Sequence, residues 1–155
     1  MKIAVLTVSD KGSRGERDDT SGDYLKEMAA EAGVLAGHSI VPDEQVLIER
    51  KLIEFADGGV NLILTTGGTG FSSRDVTPEA TLAVSDREAP GIAEAIRAAG
   101  LEITPFAMLS RATAGLRGQT LIINFPGSLK SVRESFEVVK PVLSHALEMI
   151  EGKEH

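Results

Sequence analysis

The chain has 155 residues, enough for one domain with a sizeable core, and its make-up of 42% hydrophobic and 25% charged residues is ordinary for a globular protein. With a net charge of −7, 4% aromatic residues and no Trp, it lacks the positive surface that binds a nucleic-acid backbone and the aromatic platform that stacks bases. It has no Cys, which excludes disulfides and thiolate metal sites, and no apolar run near the roughly 20 residues that a membrane span needs.

Residues 2–9 read as a strand that ends in the turn chemistry of Ser9-Asp10-Lys11-Gly12-Ser13, and not as a signal peptide, so a cytoplasmic location is expected. Residues 11–19 are dense in charge and predict an exposed loop. Thr20 and Asp23 have the spacing of a capping box. The helix they open carries Tyr24, Leu25, Met28, Ala29 and Ala32 on one face and ends at Gly33 or Gly37. His38 to Val41 reads as a second strand, stopped by Pro42-Asp43. A second helix carries Ile48, Leu52, Phe55 and Ala56 and ends at Gly58-Gly59.

Leu62-Ile63-Leu64 has the length of a buried strand, and it runs into Gly67-Gly68-Thr69-Gly70. Arg74-Asp75 follows, then Thr77-Pro78-Glu79, which reads as an N-cap, a first-turn proline and a first-turn acid. A strand, a glycine loop and a helix start in that order can hold a phosphate. A tight turn would account for the glycines alone, but it does not require the Arg and Asp directly after them. The stretch is therefore taken as an anion site.

After the short helix from Pro78 to Val84, a further helix restarts at Ala89-Pro90-Gly91, carries Ile92, Ala95, Ile96 and Ala99, and leaves Gly100 just past its end. Residues 101–118 have no clear assignment. Thr120 to Asn124 is a strand running into Phe125-Pro126-Gly127-Ser128, a turn that opens the last helical pattern. That pattern uses Val132, Phe136, Val139, Leu143, Leu147 and Ile150, and Pro141 splits or kinks it. The alternation predicts an α/β fold: a three-layer sandwich with a mostly parallel central sheet and helices on both faces, formed by residues 1–155 as one domain. Ser9-Asp10, Pro42-Asp43, Gly67 to Asp75 and Asn124 to Ser128 would then share the rim at the carboxyl ends of the strands, where such sheets bind ligands.

No P-loop, dinucleotide fingerprint or nucleophile elbow is present, and His38, His145 and His155 are scattered and read as structural or solvated. The reactive equipment left is carboxylate. Asp43 and Asp75 follow separate strands, and spacing alone leaves them either as a helix cap and a turn residue or as a magnesium site. Two phosphate charges about 4 Å apart repel by on the order of 4 kcal/mol at an effective dielectric near 20. An acidic chain has few cations with which to offset that, which favours backbone N–H groups and a divalent metal held by one or two carboxylates.

Several pieces carry a resemblance: Thr7-Val8-Ser9-Asp10, Asp19-Thr20-Ser21-Gly22, Pro42-Asp43-Glu44, Thr65 to Gly70, Arg74 to Ala80, Ser110-Arg111-Ala112, and Asn124 to Ser128 with Lys130. In order along almost the whole chain, they resemble the molybdopterin adenylyltransferase family (the MogA/MoaB type), which also occurs as a domain of gephyrin-like proteins. The resemblance implies transfer of AMP from Mg-ATP to the terminal phosphate of molybdopterin, with release of pyrophosphate. It implies molybdopterin and ATP as ligands, a homotrimer, and a downstream metal-insertion enzyme that takes the activated pterin. By position, Asp43 and Asp75 are the catalytic, Mg2+-associated pair, and Gly67, Gly68, Thr69 and Gly70 are the phosphate cradle. Ser9, Thr77, Ser110, Asn124, Pro126, Gly127, Ser128 and Lys130 are contacts to the pterin or nucleotide.

The family's second loop reads Asn-Leu-Pro-Gly, a residue, then Pro. This chain has Phe125 and Leu129 at the Leu and second Pro positions, and loss of that proline is expected to loosen the loop. The alternatives to an enzyme are a paralogue that holds the pterin without transferring AMP and a trimeric scaffold domain.

Overall fold

The computed structural model describes residues 1–153; His155 therefore lies outside the described residues. The strands are β1 (Lys2–Val8), β2 (Val34–Val41), β3 (Leu62–Thr66), β4 (Arg87–Glu88), β5 (Ala114–Arg117) and β6 (Thr120–Phe125). They form one sheet in the order β2-β1-β3-β6-β5-β4. The helices are α1 (Asp10–Ser13), α2 (Thr20–Ala32), α3 (Gln45–Asp57), α4 (Thr77–Val84), α5 (Pro90–Leu101), α6 (Leu129–Val139) and α7 (Leu143–Ile150). Single 3₁₀ turns occupy Pro105–Leu109 and Lys140–Val142, the second splitting the final helix at Pro141 as the sequence predicts.

The α/β sandwich is observed, but the expectation of a mostly parallel sheet is corrected: the sheet is mixed. β1 pairs in parallel with β2 and β3, and β3 with β6, whereas β5 is antiparallel to both β6 and β4. The reason is local. Only Gly118 and Gln119 separate β5 from β6, and a two-residue connection can join only antiparallel neighbours. Gly118 takes φ +55 to make that turn.

The period-2 alternation of the central strands divides the core between the two faces. Ile3, Val5, Leu62, Leu64, Leu121, Ile123 and Phe125 face one cluster with Leu25 of α2, Ile96 of α5, Phe136 of α6 and Leu147 of α7. Ala4, Leu6, Val8, Ile63 and Ile122 face the other, against Ile48 and Leu52 of α3 and Ala80 and Val84 of α4. Every residue of β3 and β6 is buried, as strands covered on both faces must be.

Several boundaries differ from the sequence reading. Residues 10–13 form a helical turn, capped by Ser9, within what reads as loop. Asp19, not Thr20, caps α2, accepting the Gly22 N–H at 3.0 Å, and Ala32 is exposed. β2 begins four residues before His38, and Gly100 lies inside α5, with Glu102 at its end.

Between β3 and β6 lies one buried polar node. The Asn124 amide donates to Thr65 Oγ1 (3.0 Å) and Thr81 Oγ1 (2.9 Å), and its Oδ1 accepts the Thr113 N–H (3.2 Å). Each buried partner stripped of its bond costs about 1–3 kcal/mol. Asn124→Ala should therefore lower the melting temperature by roughly 5–10 °C in a calorimetric scan. An unchanged midpoint would show that the node contributes nothing to the fold.

Candidate functional site

β1 sits between β2 and β3. The chain leaves β1 through α2 on one face and returns to β3 through α3 on the other. The carboxyl ends of β1 and β3 are thus a topological switch point, where loops diverge and leave a crevice. A cavity of about 500 Å³ opens there, with Ser9, Asp43, Gly67, Gly68, Asp75, Gly127 and Ser128 in its wall. Four loops remote in sequence meet on one rim.

The glycine loop passes too close to its neighbours for a side chain. Gly67 has φ +96, and a Cβ there would strike the Val8 carbonyl. Gly68 has φ +69, and a Cβ there would strike Thr77 Oγ1 and lie 3.2 Å from Asp43 Oδ1. Thr77 fastens this passage: its Oγ1 donates to Gly67 O (2.9 Å) and its N–H to Gly68 O (3.1 Å). Thr77 is fully buried and is the first residue of α4, while Val76 holds the N-cap position, so its sequence assignment as cap is corrected.

The two carboxylates separate from their bland readings to different degrees. Asp43 does not cap α3; Glu44 stands at the N-cap and makes no side-chain capping bond. Instead Asp43 Oδ2 accepts the Asp10 N–H at 2.9 Å, and Asp10 Oδ1 accepts the Asp43 N–H at 3.0 Å. Arg74 closes on Asp10 with Nε to Oδ2 at 3.1 Å and Nη2 to Oδ1 at 2.8 Å. Asp75 does close a turn, its Oδ2 accepting the Ser72 N–H at 2.9 Å, and it also lines the cavity.

The electrostatics set these groups apart. The Arg74 guanidinium beside Asp10 holds that carboxyl below the usual range. Burial pushes the Asp43 carboxyl up, against the Asp10 N–H, and the charges of Asp10 and Asp75 push the same way as burial. A half-buried carboxylate with two anionic neighbours is relieved by a cation. Among the described residues no group of three or more His, Cys, Asp or Glu side chains is arranged to hold a metal alone. Asp43 and Asp75 suit an ion that takes one or two carboxylates and fills its remaining positions with water and phosphate, as Mg2+ does.

The other candidate residues divide by position. Ser9 caps α1 with Oγ accepting the Gly12 N–H, and Ser128 caps α6. The Gly127 carbonyl accepts from Ser21 Oγ at 2.7 Å, and the Pro126 carbonyl from Thr66 Oγ1 at 2.7 Å. The second loop is therefore held at three points without the missing proline. Phe125 points into the core, 0% exposed, against Phe136, so that departure fills volume and does not alter the rim. Thr69 is buried, and neither it nor Gly70 lies on the cavity wall. Asn124 is interior, and Ser110 and Pro126 line a separate hollow of about 200 Å³. Lys130 stands out in solvent, 4.0 Å from Glu134. Sequence reasoning gave no role to Asp10, Asp19 or Arg111. Asp19 was findable as an acid three residues before Gly22; Asp10 and Arg111 act through partners tens of residues away.

Residues 4–145 match the family model described as a probable molybdopterin binding domain. This chain belongs to that family. Within it, the chain is 44% identical to the molybdopterin adenylyltransferase of Helicobacter pylori (strain J99), over 97% of this chain and 88% of that protein. It is also 44% identical to gephyrin of Dictyostelium discoideum, over 97% of this chain but 23% of gephyrin. The crystal structure of the molybdopterin biosynthesis enzyme MoaB from Thermus thermophilus superposes with a TM-score of 0.89 at 52% identity, covering 98% of this chain and 97% of that one.

For this family member the crowding of acids at the rim has a measurable consequence. The Asp43 carboxyl is raised in the fold, so its ionised form opposes folding above its folded-state value and the penalty disappears as pH falls. Asp43→Asn removes the charge and can keep the bond from the Asp10 N–H. The melting temperature measured near pH 8 without metal or nucleotide should rise by roughly 1–3 °C, small because solvent still screens the site. The gain should shrink toward acid pH; a lower midpoint at pH 8 would contradict the reading.

Proposed function

We propose that this chain is a molybdopterin adenylyltransferase, which transfers AMP from ATP to the terminal phosphate of molybdopterin in molybdenum cofactor biosynthesis and releases pyrophosphate. The observation that carries this reading is the rim cavity. Two carboxylates from separate strand ends flank a glycine passage there, in a chain whose relative of that name aligns over nearly its whole length.

In the reaction a phosphate oxygen of the pterin forms a bond to the α-phosphorus of ATP while the bond from that phosphorus to the bridging oxygen of pyrophosphate breaks. A phosphate monoester has its second pKa near 6 and is largely dianionic at neutral pH, so no protein base is needed. That agrees with a cavity wall on which, among the described residues, no histidine stands. What the protein must supply is alignment and charge neutralisation. The Gly67 N–H is already given to Phe125 O at 3.2 Å, which leaves the phosphate cradle to Gly68, with Ser9, Gly127 and Ser128 facing the same space. Asp43 and Asp75 would hold Mg2+, which would screen the phosphates and polarise the scissile linkage. Asp10, neutralised by Arg74, leaves that role to the other two.

This reading takes residues 1–155 as one domain of a cytoplasmic homotrimer that passes its product to a metal-insertion enzyme. Exposed Leu101, Ile103, Phe106, Met108 and Leu109, close together in sequence, support a self-associating face. Among the described residues no helix is long and apolar enough to cross a membrane. The match to one part of gephyrin favours a second reading, a pterin-binding or trimeric scaffold domain without turnover.

The test is an assay of adenylylated pterin and pyrophosphate with molybdopterin, ATP and Mg2+. Asp75→Asn keeps an acceptor for the Ser72 N–H and so should leave the fold intact, while lowering turnover by on the order of 10²-fold or more. EDTA should abolish turnover. Equal rates for the variant and the natural chain would remove Asp75 from the chemistry, and pterin binding without any product would establish the second reading.

A further inference from the structure

The loop that carries Asp75 has little of its own to hold it. Phe71 to Arg74 are all exposed, and no regular structure spans Gly70 to Asp75. At its tip, the Ser72 N–H reaches Asp75 Oδ2 and Arg74 reaches Asp10. At its base, one side chain spans both ends. Arg111 Nε donates to Gly70 O at 2.8 Å, and Arg111 Nη2 donates to Asp75 O at 2.7 Å. The same guanidinium grips Glu79 in the first turn of α4, with Nη1 to Oε2 at 2.6 Å and Nη2 to Oε1 at 3.1 Å. The Arg111 N–H adds a bond to Thr69 O at 2.8 Å.

We infer that Arg111 is the positioning residue for Asp75: a clasp that closes the base of the 70–75 loop and bolts it to α4. The inference rests on the proposed role of Asp75. Arg111 is absent from the cavity wall, so it acts through the loop and not on the substrate. Its own placement is supported from α5, where Arg97 Nη1 donates to the carbonyls on either side of it, Ser110 O at 3.2 Å and Ala112 O at 2.6 Å. The geometry asks for arginine. A planar fork with five donors can serve two carbonyls and a carboxylate at once, whereas a lysine ammonium is a single point that cannot span them. The Arg111 and Glu79 side chains are 35% and 43% exposed, and pairs so exposed contribute little to global stability. Misplacing a reacting group by about 1 Å, by contrast, can slow a reaction about 10²-fold.

The loop carries its own reporter, because trypsin cleaves after Arg74. The experiment compares the natural full-length chain with Arg111→Lys and Glu79→Gln. It follows the fragment that newly begins at Asp75 by mass spectrometry under native conditions, together with kcat, the KM for pterin and the melting temperature. Arg111→Lys should speed cleavage at Arg74 about tenfold or more, through easier local opening. It should also lower kcat about 10²-fold with the pterin KM within about twofold, and move the melting temperature by only a few degrees. Glu79→Gln, which keeps both carbonyl contacts, should give smaller changes in the same direction.

Natural rates of cleavage and turnover in Arg111→Lys would overturn the clasp. If Arg111→Lys unfolds globally, cleavage will also speed up at sites held inside helices, such as Lys51 and Arg97, and Glu79→Gln decides: natural cleavage in that variant overturns the inference, faster cleavage at Arg74 without it at the helical sites supports it. Cleavage needs no turnover. A natural chain that makes no product would sink the proposed reaction, yet the clasp would still be read from the fragment.

Discussion

The rim depends on one tight passage. Gly67 and Gly68 cross the end of β1 with positive φ, wedged between the Val8 carbonyl on one side and the Thr77 hydroxyl on the other. No residue with a Cβ fits, and the passage brings the loop after β3 against Asp43, which follows β2. Thr77 then fixes the start of α4 to the same two glycine carbonyls, so sheet, loop and helix share one anchor. From that anchor the positions of the remaining rim groups follow through a few hydrogen bonds.

Sites that await a charged ligand are often built at some expense in stability, and the rim has the crowding of like charge that goes with it. Asp10, Asp43 and Asp75, with Asp18 and Asp19 further along the wall, line one cavity in a protein of net charge −7. Arg74 binds the carboxylate of Asp10, while Asp43 is left half-buried with its carboxyl raised by desolvation. Asp10 and Asp43 each accept the other's backbone N–H, and in the proposed reading the arginine-paired Asp10 leaves the cation to Asp43 and Asp75. The clasp at Arg111 has the same logic. It directs its donors to backbone carbonyls, so that the loop needs no core of its own.

Much of this was legible in the sequence. The alternation of strands and helices, with Ser9-Asp10, Pro42-Asp43, Gly67 to Asp75 and Asn124 to Ser128 each following a strand, placed four loops on one rim. What stayed hidden was long-range or weakly patterned. β4 is two exposed residues, Arg87-Glu88, and β5 is Ala-Gly-Leu-Arg, so neither shows periodicity, and the antiparallel part of the sheet went unseen. The role of Asp43 depends on Asp10, 33 residues away, and spacing could not separate it from a helix cap. Asn124 follows the apolar run that marks β6, but its burial comes from Thr65 and Thr81 on other elements. Thr77 had every local sign of a cap and became a clamp, because tertiary contact overrode the local rule.

In the proposed reading Asp43 and Asp75 serve one cation with the nucleotide. The most direct measurement is a double-mutant cycle on Mg-ATP affinity by calorimetry, with Asp43→Asn, Asp75→Asn and the pair, at fixed pH and salt. Carboxylates that share an ion lose it together. The double variant should therefore bind little more weakly than either single one, a coupling of about 1 kcal/mol or more. Losses that add within about 0.5 kcal/mol would show two independent acids and contradict the shared site.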